Sequence, residues 1–366
     1  MVSVSPHPSL AALLMGLSHR LVHGAEHDRP LELPIATVVT DSRLPAPGAL
    51  FVARTGTTND GHDYLEKAVA AGCTAVVCQA GRCSAERLAR LDAVVVEVDD
   101  SLAAHALISA NYFRRPAESL TLVGVTGTNG KTTVTYLLEL VLLAAGRSVG
   151  VIGTVNNRYT LGDGTCRVLD TRFTTPECFT LQQVLRTMAD AGVTVVVMEV
   201  SSHALEQDRV GGLDFSACAF TNLTRDHLDY HRDMDSYFQA KAKLFATYLR
   251  PDGVAVLPVL AAQAPSWLMT LHRLCREAGQ EVVSWGEGEG AAVRLLSHAA
   301  ELERSTLQLA TASGTRTLVS PLVGRYNIDN LLVTYGLAMA LGIGEDDIAA
   351  ALATAGGAPG RLQRVT

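Results

Sequence analysis

The sequence lacks several things. It has no C-x-x-C pair, and its seven cysteines are odd in number and scattered, the nearest being Cys73, Cys78 and Cys83, five apart. That pattern excludes a disulfide framework or a zinc ribbon and reads as thiols in a reducing compartment. No signal peptide is expected, since the apolar stretch 10–17 is short and no Lys or Arg precedes it. No apolar run reaches the roughly 18 residues that a membrane span needs. It has no basic excess either. A net charge of −7 gives a general nucleic-acid binder nothing broad with which to neutralise phosphates. Internal repeats and low-complexity tracts are missing too. The expectation is a soluble, cytoplasmic protein that binds no nucleic acid and works as a monomer.

What is present points to packed globular structure. Apolar residues make up 48% and charged residues 18% of 366 residues, enough for more than one core and for two or three domains of about 100–200 residues. From 31 to about 115, strand-like segments (35–40, 50–53, 75–78, 93–98) alternate with helix-like ones (62–71, 84–90, 101–113), a small α/β domain. Arg114-Arg115-Pro116-Ala117 reads as a linker, because proline ends the helix before it. A second α/β unit starts at Leu120, with strands expected at 120–126, 148–154, 193–200, 215–221, 254–257 and 282–285. Its helices are expected at 131–145, 176–191 (capped by Thr175 or Thr174), 234–249 and 328–341. The run 193–200 is apolar on both faces, as a central parallel strand should be. The stretch 293–319 reads as antiparallel hairpins. The fold class is therefore α/β: a small N-terminal α/β domain (1–117), then a central domain of the phosphate-loop ATPase type (118–358), whose mostly parallel sheet carries a small antiparallel section. Residues 359–366 read as the start of a hinge.

The strongest chemical signal is Gly127-Thr128-Asn129-Gly130-Lys131-Thr132-Thr133, between an apolar strand and a helix. Glycines let the backbone curl so that its N–H groups face phosphate oxygens, and the helix N-terminus adds partial positive charge. Lys131 supplies a cation for the β/γ phosphates and Thr132 a hydroxyl for Mg²⁺. The match to G-x-x-x-x-G-K-[ST] is imperfect, since Val125 holds the first glycine position and Gly124 lies one residue early. A glycine-rich turn with a chance lysine is the bland alternative, and the strand–loop–helix context favours the nucleotide site. Glu199, at the carboxyl end of the presumed central strand, suits Mg²⁺ coordination, because ligands of open parallel sheets bind beyond strand carboxyl ends; a strand-end glutamate meeting solvent is the alternative. In 224–231, His227 and His231 are four apart and would share a helical face, which is also a zinc spacing. No H-E-x-x-H accompanies them, which leaves a metallohydrolase as a weak runner-up. Lys241 and Lys243 fall on an amphipathic helix with Tyr237, Phe238, Leu244 and Phe245, and either alone reads as a solvated surface residue.

Taken together the motifs resemble the Mur ligases, most closely the MurE type, UDP-N-acetylmuramoyl-tripeptide synthetase. The matching runs are Asp41-Ser42-Arg43, the phosphate loop, Thr174-Thr175-Pro176-Glu177, the runs 198–205 and 220–231, 240–245, 324–330 and Pro359-Gly360-Arg361, in family order through nearly the whole chain. Glu199-Val200-Ser201-Ser202-His203 and Arg225-Asp226-His227-Leu228-Asp229-Tyr230-His231 are the runs that mark the MurE type. The resemblance implies an N-terminal domain for the UDP portion of the substrate, a central ATPase domain and, after the Pro-Gly-Arg turn, a C-terminal α/β domain that the present sequence does not contain.

By position the resemblance implies that Ser42 contacts the uridine end and that Thr174, Thr175, Ser201, Gln207 and Arg209 hold the muramoyl-dipeptide. It implies that Lys131, Thr132, Glu199 and His227 arrange ATP and Mg²⁺. Asn327 and Asn330 would face adenine (Asn327 could equally be a helix cap), and Arg361 would approach the nucleotide. Lys241 matches a lysine carbamylated to N6-carboxylysine, which could then bind Mg²⁺. The implied reaction is ATP-dependent amide formation through an acyl phosphate, joining an amino acid (diaminopimelate or lysine) to UDP-N-acetylmuramoyl-L-alanyl-D-glutamate in peptidoglycan precursor synthesis. With the acceptor domain outside the sequence, weak or no turnover is expected. The alternatives are a binding module without ligase activity, or another Mur-type ligase such as MurF, against which Ser201-Ser202-His203 argues.

Overall fold

The computed structural model describes residues 7–24, 28–44, 46–56, 59–169 and 173–357. The reading for Arg361 and the hinge at 359–366 lies outside them. Contacts divide the chain into two units. The first takes in residues up to Pro116 together with two later segments, Cys178–Arg186 and Gln207–Gly212; the second takes in Ala117–Glu177, Thr187–Glu206 and the rest from Leu213.

The first unit is a five-stranded sheet in the order His19–His23, Val94–Val98, Ala75–Gln79, Leu50–Val52, Val38–Val39. The last four strands are parallel. The first, which sequence periodicity does not reveal, is an antiparallel edge. Val76, Val77, Val94, Val95 and Val96 are fully buried, as the two covered faces of a parallel sheet require. Predicted segments are present but shorter: 35–40 reduces to Val38–Val39, and 62–71 becomes a 3₁₀ turn (Gly61–Tyr64) running into Leu65–Ala70. Tyr112, Phe113 and Phe179 pack ring against ring, with centroids 4.8–5.1 Å apart.

The second unit is built on an eleven-stranded sheet. Its middle is parallel, in the order Glu281–Gly286, Leu249–Pro258, Phe215–Phe220, Thr121–Thr126, Val195–Glu199, Val149–Ile152. Val195–Glu199 is central, with all five residues buried. Its register sets Glu199 opposite Val125, at the carboxyl end of the strand that feeds the phosphate loop. Val293–Ala300 joins the parallel set and continues antiparallel into Ser305–Thr311 and Gly314–Ser320, the hairpin section expected from the sequence. The hairpin Asn157–Thr160/Cys166–Leu169 at the other end carries no clear sequence signal. Helices Lys131–Ala144 and Arg325–Ala340 share one core with the central strands, through Val134, Leu137, Leu138, Leu331 and Leu332 packed with Val123, Val125 and Val197.

Two expectations fail. The helix predicted from 176 begins at Cys178 with Glu177 as its N-cap, and neither Thr174 nor Thr175 caps it. The Thr175 hydroxyl is committed elsewhere, donating to the Glu199 carbonyl at 2.9 Å. The helix predicted over 234–249 stays α-helical only through Met234–Lys243 and widens to a π-turn at Leu244–Tyr248. The Gln280 amide there donates to the carbonyls of Phe245 and Leu249 at 2.8 and 3.1 Å, satisfying groups that a continuing helix would have used.

Leu331 is fully buried between sheet and helix. Leu331→Ala is expected to destabilise the chain by about 2–5 kcal/mol. A lower denaturant midpoint with an unchanged slope is the signature, and a midpoint at the wild-type value would show this core to be loosely packed.

Candidate functional site

Strand Thr121–Thr126 runs into Gly127–Gly130, and helix Lys131–Ala144 starts directly behind. Gly127 and Gly130 have φ of 139° and 88°, a region that side chains disfavour. Space forbids a side chain as well: a Cβ on Gly127 would lie 2.0 Å from the Thr221 hydroxyl, and one on Gly130 would lie 2.3 Å from Asn330 Oδ1. Both glycines are therefore required by the fold of the loop. The loop is pinned from outside by residues that sequence reading did not single out. Thr221 donates to the Asn129 carbonyl at 2.6 Å, the Asn129 N–H donates to Asn222 Oδ1 at 3.0 Å, and Thr128 Oγ1 lies 3.3 Å from the Tyr237 hydroxyl. Thr133 is half-buried in the first helical turn.

Lys131 Nζ folds back and donates to the carbonyls of Gly127 and Thr128 at 2.8 and 2.9 Å. Thr132 donates to Glu199 Oε1 at 3.0 Å. The Glu199 carboxylate is buried and also accepts from the Thr154 N–H at 2.9 Å and the Thr154 hydroxyl at 3.0 Å. Gly153 makes room for it, since a Cβ there would lie 2.4 Å from Oε1. The sequence alternative of a solvent-facing glutamate is excluded.

Lys241 is no surface residue. It is buried, its Nζ donates to the Gly127 carbonyl at 2.9 Å, and it lies 4.5 Å from the centre of the Tyr237 ring. Burial pushes its ammonium well below the ordinary lysine range; the charge of Lys131 adds to this and Asp226 opposes it. Lys243, by contrast, lies at the surface, 3.5 Å from Glu206. Two helix positions that look equivalent in sequence are thus separated by the direction each faces.

The pair His227/His231 does not share a helical face. No helix covers 224–231; His227 has φ of 52°, is exposed and sits 3.6 Å from Asp226. His231 is buried and shares a 2.9 Å hydrogen bond with Ser202. Burial lowers its pKa. His227 packs edge-on to His203, whose ring also lies tilted against Tyr230. Among the described residues no group of three or more His, Cys, Asp or Glu side chains is arranged to hold a metal ion. Thr132 and Glu199 are brought together; His227 contacts the aromatic cluster instead.

Thr174 and Thr154 share a hydroxyl contact at 3.1 Å, and the Ser201 N–H donates to Thr175 Oγ1 at 3.2 Å. The Ser201 hydroxyl accepts from the Ala204 N–H, at the start of helix Ser202–Glu206. Asn330 abuts Gly130, and its amide lies 3.5 Å from Asn327 Oδ1. Asn327 is not the cap of its helix: Gly324 is, and the Asn327 amide donates to the Val323 carbonyl at 2.9 Å.

In the first unit Arg209 donates twice to Gln207 Oε1, at 2.7 and 3.1 Å. Ser42 lines a cavity of about 570 Å³, beyond the carboxyl ends of Val38–Val39 and Leu50–Val52, with Asp41, Arg43, Arg54, Asn59 and Lys67. Arg43 grips Asp41 through Nε and Nη2 at 2.8 and 2.7 Å, and this hydrogen bonding lowers the Asp41 carboxyl to about 2.

A glycine loop between strand and helix, a strand-end carboxylate on the loop threonine and a mainly parallel sheet have the arrangement found in α/β proteins of the phosphate-loop class. The family is fixed by comparison: the Mur ligase middle domain matches residues 125–338 and the Mur ligase family catalytic domain matches 34–113. The chain belongs to the Mur ligase family, and within it the match is to the MurE type. It is similar to the UDP-N-acetylmuramoyl-L-alanyl-D-glutamate–2,6-diaminopimelate ligase of Geobacter metallireducens, with 40% identity over 94% of this chain and 65% of that protein. The ligase of the same name from Gloeobacter violaceus is 40% identical over 92% of this chain and 65% of its own length. The chain thus spans just under two thirds of the length of these relatives. A solved diaminopimelate ligase structure superposes with a TM-score of 0.74 at 26% identity, covering 94% of this chain and 68% of that one. MurF from Acinetobacter baumannii, at 21% identity and a TM-score of 0.63, shares the fold. Among the described residues no helix is long and apolar enough to cross a membrane.

The buried Lys241 makes a prediction about pH. Its native pKa is depressed, so between that value and about 10.4 the unfolded chain binds more protons than the native one, and stability rises with pH across this window. Lys241→Met is expected to remove that increment and to flatten the pH dependence of the urea midpoint relative to wild type. Superimposable profiles for the two proteins would show that Lys241 is not desolvated in solution.

Proposed function

We propose that the chain carries the nucleotide and UDP-substrate sites of an ATP-dependent amide ligase that adds diaminopimelate to UDP-N-acetylmuramoyl-L-alanyl-D-glutamate in the cytoplasm. The observation that carries the reading is the convergence on the phosphate loop: Lys131 and Lys241 both donate to the Gly127 carbonyl, and Glu199 accepts from Thr132. The names of the diaminopimelate ligases that the chain resembles support the choice of amine.

In this reading Gly127, Thr128, Asn129, Gly130 and Thr133 cradle the triphosphate with backbone N–H groups, and Lys131 swings from its loop carbonyls to the terminal phosphates. Asn330, against Gly130, and Asn327 behind it border the nucleotide. A hydroxyl and a carboxylate in contact, Thr132 and Glu199, are the hard oxygen donors that suit Mg²⁺, with His227 a further candidate. Mg²⁺, when bound, supplies charge neutralisation between the triphosphate and an incoming carboxylate. Ser42 would sit at the uridine end, while Thr174, Thr175, Ser201, Gln207 and Arg209 would hold the dipeptide portion. The dipeptide carboxylate attacks the γ-phosphorus, the bond to the β-phosphate oxygen breaks, and ADP leaves. The amine then attacks the acyl phosphate and expels phosphate. Positioning and charge neutralisation provide the catalysis in the first step.

Lys241 fits modification by CO₂. Burial favours its neutral amine. The nitrogen lone pair forms the N–C bond, one C=O electron pair moves onto oxygen, and the amine loses a proton to solvent. The buried amine beside Lys131 becomes an anion, which attracts the Lys131 charge and offers oxygens to Mg²⁺.

Lys131→Ala is expected to lower ATP affinity at least tenfold, the loss of one charge-assisted contact being worth about that much. Calorimetry reads it, and equal affinity for both proteins would refute the loop as the nucleotide site. Intact-mass and peptide analysis under bicarbonate is expected to place one added CO₂ on Lys241. Modification of Lys243 in its place would count against the assignment.

A further inference from the structure

One wall of the cavity in the first unit is a return of the chain. It leaves the carboxyl end of the strand Leu50–Val52, comes back through the 3₁₀ turn Gly61–Tyr64 and runs into the helix Leu65–Ala70. Asn59, Gly61, Tyr64 and Lys67 from this stretch line the space. The helix is held from behind, since Leu65 and Ala68 pack into a core with Phe51 and Val76. The return itself has no such anchor, because 54–61 contains no apolar residue. Its backbone bonds are internal: the Gly56 N–H donates to the Asn59 carbonyl at 2.9 Å and the Gly61 N–H to the Arg54 carbonyl at 2.8 Å. The strand ladder stops just before it, with the Ala53 N–H donating to the Val77 carbonyl at 2.9 Å.

His62 ties the return to the sheet. It follows Gly61 in the turn but is 2% exposed and takes no part in the cavity wall. Its Nε2 accepts from the N–H of Gln79, the last residue of the strand Ala75–Gln79, at 2.9 Å. In a continuing parallel ladder that N–H would meet the Ala53 carbonyl. The chain departs there, and the imidazole nitrogen takes the carbonyl's place. Because Nε2 accepts, the ring proton sits on Nδ1, which donates to Asp60 Oδ1 at 2.5 Å. The same oxygen receives the His62 N–H at 3.0 Å. One ring thus joins the end of the return to the end of a strand, and both of its nitrogens are committed.

We propose that His62 is a positioning residue that moors this wall to the sheet and thereby sets the affinity of the cavity for a uridine diphosphate. The inference rests on the reading of the cavity as the UDP site, and it adds a residue that touches no ligand itself. A moored wall meets the ligand already in place, whereas a loose one loses conformational freedom on binding, which weakens the complex.

Calorimetry of the 366-residue chain with UDP, and with ATP as the control, tests it. His62→Leu, which removes both side-chain hydrogen bonds, is expected to weaken UDP by roughly three- to tenfold and to leave ATP unchanged. His62→Gln, whose amide oxygen can accept from Gln79, is expected to recover most of the loss. A residue that only stabilises the fold would shift the urea midpoint and leave the affinity of the folded chain alone. Wild-type UDP affinity in folded His62→Leu therefore overturns the proposal. So does an equal loss for UDP and ATP, which marks general damage, and so does a His62→Gln chain as weak as His62→Leu. If His62→Leu does not fold, by circular dichroism, His62→Asn decides: its amide can still donate to Asp60 but falls short of Gln79, and UDP affinity at the wild-type value there overturns the proposal. If the unsubstituted chain binds no UDP, the reading of the cavity falls, and the proposal with it.

Discussion

A single buried carboxylate organises the carboxyl end of the second unit's central strands. Glu199 accepts from Thr132 at the start of the loop helix and from both the backbone and the hydroxyl of Thr154, while its own carbonyl receives Thr175. Three segments that are distant in sequence are thereby set around one strand end. All the donors are neutral, so they orient the carboxylate without cancelling its charge. Removing any one of them would leave a buried anion short of a partner, which costs more than the contact itself is worth.

The Gly127 carbonyl shows the same logic with the opposite sign. Two lysines donate to it, and the charge of Lys131 disfavours the charged form of Lys241. A neutral dipole holds both. In the proposed reading, phosphate oxygens arrive at Lys131 and a carbamate forms on Lys241.

Legibility followed the range of the interactions. The phosphate loop, the central strand 195–199 and Glu199 were readable because each rests on local pattern: glycine spacing, an unbroken apolar run, a carboxylate at a strand end. The parallel core was readable for the same reason. What failed were properties that tertiary contacts decide. Lys241 and Lys243 look alike in sequence, and only the packing of their helix buries one and exposes the other. The threonine expected to cap a helix spends its hydroxyl on a neighbouring strand. His227 and His231 have zinc-like spacing, yet the backbone between them is not helical. Thr154 carried no motif, and Thr221 and Asn222 stood in a matched run without an assigned role, because each acts by meeting a residue tens of positions away.

The make-up of the first unit constrains how this chain is made. Phe179, from the later segment Cys178–Arg186, completes the ring cluster with Tyr112 and Phe113. During synthesis those two rings emerge well before Phe179 does. The N-terminal sheet therefore spends part of translation with an apolar patch uncovered, and its stability is gained in two instalments instead of one. Sequence changes at 178–186 or 207–212 would be felt in the N-terminal sheet, although they lie far along the chain from it.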